Sequence, residues 1–488
     1  MNFGYGHRGA ARGRRARGTV LIVTMWILLV LAGLVLVLGR SARVEGDRSA
    51  NSLAEAQAAA VEDGAIQYVL ARVDGLQGQM PTEADMPCEA VPVGDGAFWI
   101  LRSTGEDDRT YAYGIRDEAG KVNLNTASPD MLSKLPGMTP EFAASIVDWR
   151  DADSNVTPGG AESEYYLLLP DPYECKNSPL ETVEELFLIR GASKDILWGG
   201  DTNRNGILDP GEETSFIISS TSSGTSTRLN RGLVDGVTVY SGPPAASATT
   251  GRQPQRINVN TAQRSALTTL LQDSVASARL PVVTERIRRE RPFLSVFDFY
   301  YRGGLTFDEF QPIASRVTTT SAAPPKGLIN VNTAPREVLL CLPRLDESDV
   351  NALLAHRPVT GTSGLSGRGS SFTTTTTGGS TAATGTSGTD ISWVVQALSR
   401  EKAIAIGGSV TGESYQFSAD IVSVAPDGRA FKRCRVVIDA GSSPPQVIYR
   451  QNLTHLGWPL SPDIVTRLRS GMGLESEVQT IGQGAGSS

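Results

Sequence analysis

Thirteen residues, "DTNRNGILDPGEE" from Asp201, set oxygen-bearing groups at the spacing a calcium loop needs. Asp201, Asn203 and Asn205 stand at its first, third and fifth positions, and Ile207 lends a carbonyl at the seventh. Asp209 and Glu212 follow at the ninth and twelfth, and Gly206 permits the sharp turn. Calcium is a hard cation that takes roughly six to eight oxygens, and this order brings them round one point. Upstream, "DWRDADSNVTPGGAESEYY" offers a second candidate metal site in Asp148, Asp151, Asp153, Glu162 and Glu164. Asp151 and Asp153 lie just beyond a helix end and can share a calcium with Glu162 across a loop. Helix caps and solvated charges explain those residues equally well. Calcium sites outside the cytoplasm are weak, with dissociation constants of roughly 10⁻⁴ to 10⁻³ M, so the expected role is structural.

Other chemistries find little support. The three histidines are His7, His356 and His455, and neither H-E-x-x-H nor G-x-S-x-G occurs. "SREK", Ser399 to Lys402, matches Ser-x-x-Lys without companion motifs. The chain is therefore read as no enzyme. Net charge is −7, but five arginines precede residue 19, leaving 40 basic and 52 acidic residues beyond it, or −12. Such a body repels phosphate backbones, and no nucleic-acid partner is expected.

The elements that must hold the calcium loop are announced by a repeated phrase. "KVNLNTASPDMLSKLPG" at Lys121 returns as "RINVNTAQRSALTTLL" from Arg256 and "LINVNTAPREVLLCLP" from Leu328. Each has an Asn-x-Asn-Thr-Ala lead, whose Thr is expected to cap the next helix, and then leucines at helical spacing. After the first copy, Thr139 reads as an N-cap, Pro140 as the first helical turn, and Phe142, Ile146 and Trp149 as one face. After the third, Asp346 reads as the cap and Val350, Leu353 and Leu354 as the buried stripe. The scheme is that of helix-hairpin-helix (SAM-like) units. Gly137 is followed by Thr139 where a second glycine would serve a phosphate, and the third copy has Arg344 and no glycine, so the units read as packed scaffolding.

"TVLIVTMWILLVLAGLVLVLG", Thr19 to Gly39, carries no charge over 21 residues. At about 1.5 Å per residue it crosses a hydrocarbon core of roughly 30 Å. Arg8, Arg12, Arg14, Arg15 and Arg17 hold the N-terminus in the cytoplasm. A secretory signal peptide is the competing reading, but "LGRSARVEG" is a poor cleavage site. Ala54, Ala58, Val61, Ala65 and Val69 then step by three or four until Gly75, so the helix is expected to run on outward as a rod on the order of 84 Å. "GAFWILRSTG" and "RTYAYGIRDEAG" predict a β-hairpin, and a second β group begins only after Gly412, which implies an insertion within a β head. Cys88, Cys175, Cys341 and Cys434 can form up to two disulfides, in any of three pairings, or stay as buried thiols.

An Arg-rich leader ending in Gly18, an apolar helix starting at once and a β-containing head resemble a type IV pilin-like precursor. That resemblance implies cleavage by a prepilin peptidase between Gly18 and Thr19. Within the class, "YGIRDEAGKVNLNTAS", "IVDWRDADSN", "GGAESEYY", "KNSPLETVEELFLIRG" and "INVNTAP" resemble the type II secretion minor pseudopilin K family. Such proteins carry calcium in a helical insertion and cap a periplasmic pseudopilus with minor pseudopilins I and J. The usual Glu at the fifth mature position is replaced by Val23, as that family typically has it.

The resemblance implies an α+β fold and an inner-membrane, single-pass protein with its body in the periplasm. Its implied partners are other pseudopilins and the prepilin peptidase, with secreted cargo or the outer-membrane secretin at the tip. The expected divisions are a leader at 1–18, a transmembrane helix at 19–39, its spine extension at 40–78 and a first part of the pilin-like β head at 79–120. A helical insertion with the calcium loop and repeats follows at 121–325, a further repeat at 326–357, a Ser/Thr/Gly-rich loop at 358–390, and the rest of the head with a tail at 391–488. The alternative is a membrane-anchored helix-hairpin-helix DNA-uptake protein, for which only "TERIRRERP", Thr284 to Pro292, is locally basic.

Overall fold

The computed structural model describes residues 16–103, 111–207, 209, 212, 216–221, 224–244, 256–321, 324–358 and 388–471. Most of the leader and most of the Ser/Thr/Gly-rich loop lie outside these residues. Helix α1, Ala16–Val73, is continuous over 58 residues, about 87 Å at ~1.5 Å per residue. Gly18 and Thr19 fall in its first turns. From Val20 to Leu38 its large apolar side chains are exposed, and it is the one helix among the described residues long and apolar enough to cross a membrane.

The second half of α1 behaves differently because it meets a sheet. Ala54, Ala58, Val61, Ala65 and Val69 are all buried, as their spacing predicts. Small residues are needed here because the backbones approach closely. Ser423 Oγ donates to the Ala58 carbonyl at 3.1 Å, and a Cβ on Gly96 would lie 2.6 Å from Val61 Cγ2. Ala58→Leu is expected to cost about 1–3 kcal/mol by overpacking, read as a lower urea midpoint; an unchanged midpoint would show the helix to be loosely held. Gly75, at φ +83°, ends the rod.

The sheet is antiparallel. Its strands are β1 (Val91–Val93), β2 (Gly96–Arg102), β3 (Ala112–Tyr113), β4 (Arg116–Asp117), β5 (Gln416–Val424), β6 (Phe431–Asp439) and β7 (Gln446–Asn452). The main order is β1-β2-β5-β6-β7, with β3 on β2 and β4 on β5. The expected hairpin is present, with Leu101 opposite Tyr113. Strand β5 is buried throughout, with Ile421 between Ile100 and Cys434. One face packs on α1 through Phe98, Ile100, Phe417 and Ile438. The other face places Trp99 and Val422 under Leu460, Trp458 and the helix Pro462–Arg469. All four cysteines are buried free thiols.

The chain leaves the sheet after β4 and returns at β5, and the insertion between builds its own core. Each repeated phrase opens as a two-residue parallel bridge: Val122–Asn123 with Val237–Thr238, Ile257–Asn258 with Val317–Thr318, and Ile329–Asn330 with Val410–Thr411. The first Asn folds its amide oxygen onto the N–H two residues on, at 2.9 Å in all three copies. The second Asn clasps a remote backbone. Asn125 pairs with both the N–H and the carbonyl of Leu180, Asn260 does the same with Phe293, and Asn332 holds the Gly388 and Asp390 carbonyls and the Trp393 indole.

The Thr of the phrase does not cap a helix, contrary to expectation. Thr126, Thr261 and Thr333 sit in turns closed on the first Asn carbonyl, too early to cap. Ser128 caps the first helix, α2 (Pro129–Ser133), while Gln263 and Pro335 stand at the other two starts without a side-chain bond. Helix α3 (Pro140–Arg150) follows α2, with Thr139 as its cap and Phe142, Ile146 and Trp149 buried. The later pairs are α4 (Arg264–Leu271) with α5 (Leu280–Arg289), and α6 (Arg336–Leu340) with α7 (Glu347–His356), the last capped by Asp346. Gly137 and Arg344 hold the same left-handed turn, at φ +73° and +60°. The basic stretch on α5 is tied up locally, Arg288 by Glu285, Arg289 by Glu290 and Arg286 by the Arg302 carbonyl.

Candidate metal centre

The helix Lys194–Trp198 stops at Gly199 and delivers the chain into the loop that begins at Asp201. Asp201, Asn205, Ile207 and Glu212 are buried, and Asn203 and Asp209 half-buried. The Asp201 carboxylate accepts from the N–H groups of Asn205 (3.1 Å) and Gly206 (2.8 Å), and Gly206 takes φ +79° to allow it. Asn203 and Asn205 both turn their amides to Asp209 Oδ2, at 2.6 and 2.9 Å. Glu212 closes the ring on the Thr202 and Asp209 N–H groups, at 2.7 and 3.2 Å. All six expected positions therefore belong to one closed loop.

Its donors are oxygens, and among the described residues no Lys or Arg pairs with Asp201, Asp209 or Glu212. Burial pushes the Asp201 carboxyl up to about 6, and the negative charges of Glu212 and Asp235 add to the effect. Three carboxylates so placed suit a hard divalent cation. Among the described residues no three His, Cys, Asp or Glu side chains form a ligand set by themselves, so Asn203, Asn205 and the Ile207 carbonyl are essential to the fit.

The loop is fastened to the sheet by a residue the motif does not contain. Arg433, on β6, is fully buried. It grips Asp420 of β5 through Nε and Nη2, both at 2.9 Å, and donates from Nη1 and Nη2 to the carbonyls of Asn203 and Arg204. Asn205 adds a bond to the Pro459 carbonyl at 2.9 Å, and Arg231 donates to the Gly206 carbonyl at 3.0 Å. The signal for Arg433 was present as a charge inside "FKRCRVVID", a strand otherwise fit for burial, facing an acid in "QFSADIVSV".

At the second candidate the structure brings Asp151 and Glu162 together and turns Asp153 outward, where its carboxylate accepts from the Asn155 N–H. Asp151 Oδ1, both Glu162 carboxylate oxygens and Asn177 Oδ1 are buried without a hydrogen-bond partner. Asp148, fully buried beside them, accepts from the Thr157 N–H. Burial raises the Asp151 and Glu162 carboxyls, and the Asp148 charge raises both further. Asp148 belongs to the acidic stretch that the sequence offered, and Asn177 joins the cluster unannounced.

A long helix, apolar and then amphipathic, laid on an antiparallel sheet with a helical insertion defines an α+β architecture. Residues 130–198, from α2 to the helix before the calcium loop, match the family model described as Type II secretion system (T2SS), protein K. The resemblance read from the sequence is thus shown on that segment. A curated relative, Type II secretion system protein K of Pectobacterium carotovorum subsp. carotovorum, is 34% identical over 56 residues. The match spans 12% of this chain and 17% of the relative. A solved structure of the GspK-GspI-GspJ complex from the enterotoxigenic Escherichia coli type 2 secretion system aligns over 84% of this chain and 99% of that one, at 12% identity and a TM-score of 0.32.

Proposed function

We propose that the chain is a minor pseudopilin of a type II secretion system that caps the periplasmic tip of the pseudopilus and helps initiate its assembly for export across the outer membrane. The observation that carries this is α1, a single helix with a bare apolar half and a half fixed to the sheet. The apolar half waits in the inner membrane with the N-terminus cytoplasmic and the head periplasmic, and then packs with the corresponding helices of minor pseudopilins I and J and other pseudopilins. Prepilin peptidase frees Thr19 by cutting after Gly18. Val23 leaves no carboxylate at the fifth mature position, which suits a subunit with no amine above it to neutralise. The insertion broadens the head so that no further subunit stacks on it, and turns its outer surface to cargo or the outer-membrane secretin. The protein acts by assembly, without catalysis or nucleic-acid binding.

The test is co-expression with and without a prepilin peptidase, followed by mass spectrometry of the membrane-bound product. A peptidase-dependent start at Thr19, with co-purification of pseudopilins I and J, is the expected result. A Met1 start in both cultures overturns the reading.

Calcium is proposed at Asp201, Asn203, Asn205, Ile207, Asp209 and Glu212, and a second ion at Asp151 and Glu162 with Asp148 and Asn177. Bound calcium neutralises the buried carboxylates and holds the insertion to the sheet. At tenfold excess over its dissociation constant one ion stabilises the fold by about 1.4 kcal/mol. EGTA is expected to lower the melting temperature of the wild type, and to do so less for Asp201→Asn with Glu212→Gln. Equal melting with EGTA and with millimolar calcium would remove calcium from this account.

A further inference from the structure

Beside the metal loop, on the seam between insertion and sheet, lies a cavity of about 50 Å³. A single water needs roughly 10–15 Å³ of such space, so the cavity has room for a polyatomic ion. Six cations line it: Arg102, Arg116, Lys121, Arg204, Arg231 and Arg435. Three carboxylates face them, Asp201, Asp235 and Asp420. Each carboxylate is already engaged. Asp235 pairs with Arg116 and accepts from Ser103 Oγ at 3.2 Å, Asp420 is shared by Arg433 and Arg435, and Asp201 serves the metal loop. Lys121 pairs with Glu118 at 2.5 Å, just behind the wall.

The arrangement leaves positive charge in excess, and one group shows where it is aimed. Arg204 holds a left-handed backbone at φ +55°, uncommon for a residue other than glycine, and lays its guanidinium 4.4 Å over the Trp198 ring. Its Nη1 is buried and has no hydrogen-bond partner. The cations also disfavour one another. Burial lowers Arg102, and the charge of Arg116 adds to it against the opposing pull of Cys88 and Glu83. A buried donor without an acceptor is costly, and a bound anion relieves that cost.

We propose that this cavity is a binding site for one small tetrahedral oxyanion of the sulfate or phosphate class, held by Arg204 and Arg102 and bordered by Arg231 and Arg435. Guanidinium forks match the oxygens of such ions, and the indole of Trp198 fixes the plane of one of them. The ion bridges the insertion, through Arg204 and Arg231, to the sheet, through Arg102 and Arg435. It is a second fastening of the same seam, independent of whether the loop holds calcium and of whether the chain assembles as a pseudopilin.

The test uses the full-length protein in detergent with calcium fixed. Sulfate and chloride are compared at matched ionic strength by calorimetric titration and by thermal melting. A saturable one-to-one isotherm with sulfate is expected, together with a rise in melting temperature that levels off. Arg204→Gln and, separately, Arg102→Gln are each expected to weaken sulfate binding at least tenfold. Calcium binding is titrated in both variants to register any damage to the loop, and Arg102→Gln alters no loop residue. A rise that stays linear in sulfate and is equal in the wild type and both variants is mere exclusion of sulfate from the surface, and overturns the proposal. A wild type giving no isotherm with sulfate or with inorganic phosphate overturns it too.

Discussion

Arg433→Met is expected to lower the stability of the folded chain by about 3 kcal/mol. Arg433 is fully buried, and the change strips Asp420 of two charge-assisted bonds. Burial alone would raise the Asp420 carboxyl, but Arg433 and then Arg435 hold it below the usual range. Arg435 keeps one contact with Asp420 at 3.2 Å, so the charge is not wholly abandoned. The same change leaves the carbonyls of Asn203 and Arg204 without their donor, and the metal loop loses its mooring on β6. Two losses are therefore combined. Arg433→Met with Asp420→Leu separates them, because an apolar pair in place of a buried ion pair is nearly neutral while the loop carbonyls remain unserved. The double variant should regain part of the stability in urea, since Arg435 loses its Asp420 partner, and still respond weakly to calcium. Full recovery of both would show that Arg433 serves only the sheet.

Asp117→Ala is expected to cost about 3 kcal/mol or more, since each buried donor left unpaired costs roughly 1–3 kcal/mol. Asp117 ends β4 and is fully enclosed, with no cation beside it. It accepts from the Ala119 N–H, the Asn330 amide and the hydroxyls of Thr333 and Ser414. The last three donors come from the third repeated phrase and the approach to β5, so one carboxylate joins the point where the chain leaves the sheet to the point where it returns. Burial raises this carboxyl above its ordinary 3.8, against the pull of the four donors. The native state then keeps a proton that the unfolded chain has lost, so this group's contribution falls as pH rises from about 4 through the folded value. In Asp117→Asn that part of the slope should vanish. A urea series between pH 4 and 7 that gives parallel curves for wild type and Asp117→Asn would refute the burial argument.

What the sequence discloses, and what it hides, divides by distance along the chain. The rod was legible because Ala54, Ala58, Val61, Ala65 and Val69 report a single face through local spacing, and all five are buried. The closed loop at Asp201 was legible because the residues that bond across it fall within thirteen positions. Even the insertion was visible, since the strands of the main sheet stop at Asp117 and resume at Gln416. The asparagine clasps were not, because Leu180, Phe293 and Trp393 stand far from the Asn residues that hold them and share no pattern with them. The Thr of the phrase misled for a local reason: Thr capping needs the residue next to the helix, and two residues intervene in every copy. Arg433 reaches the metal loop across 230 positions, and no spacing rule spans such a gap.

The pairing of Ile100 with Ile421 also sets a timetable. At roughly 5–20 residues per second, a ribosome needs on the order of 15–60 s to make the residues between them. Throughout that interval "AFWIL", which is buried at every position in the finished sheet, has no neighbour strand on the β5 side. The insertion, whose contacts are nearer in sequence, emerges whole before β5 exists. Newly made chains thus expose that apolar ribbon until β5, in about the last sixth of the chain, arrives to cover its edge.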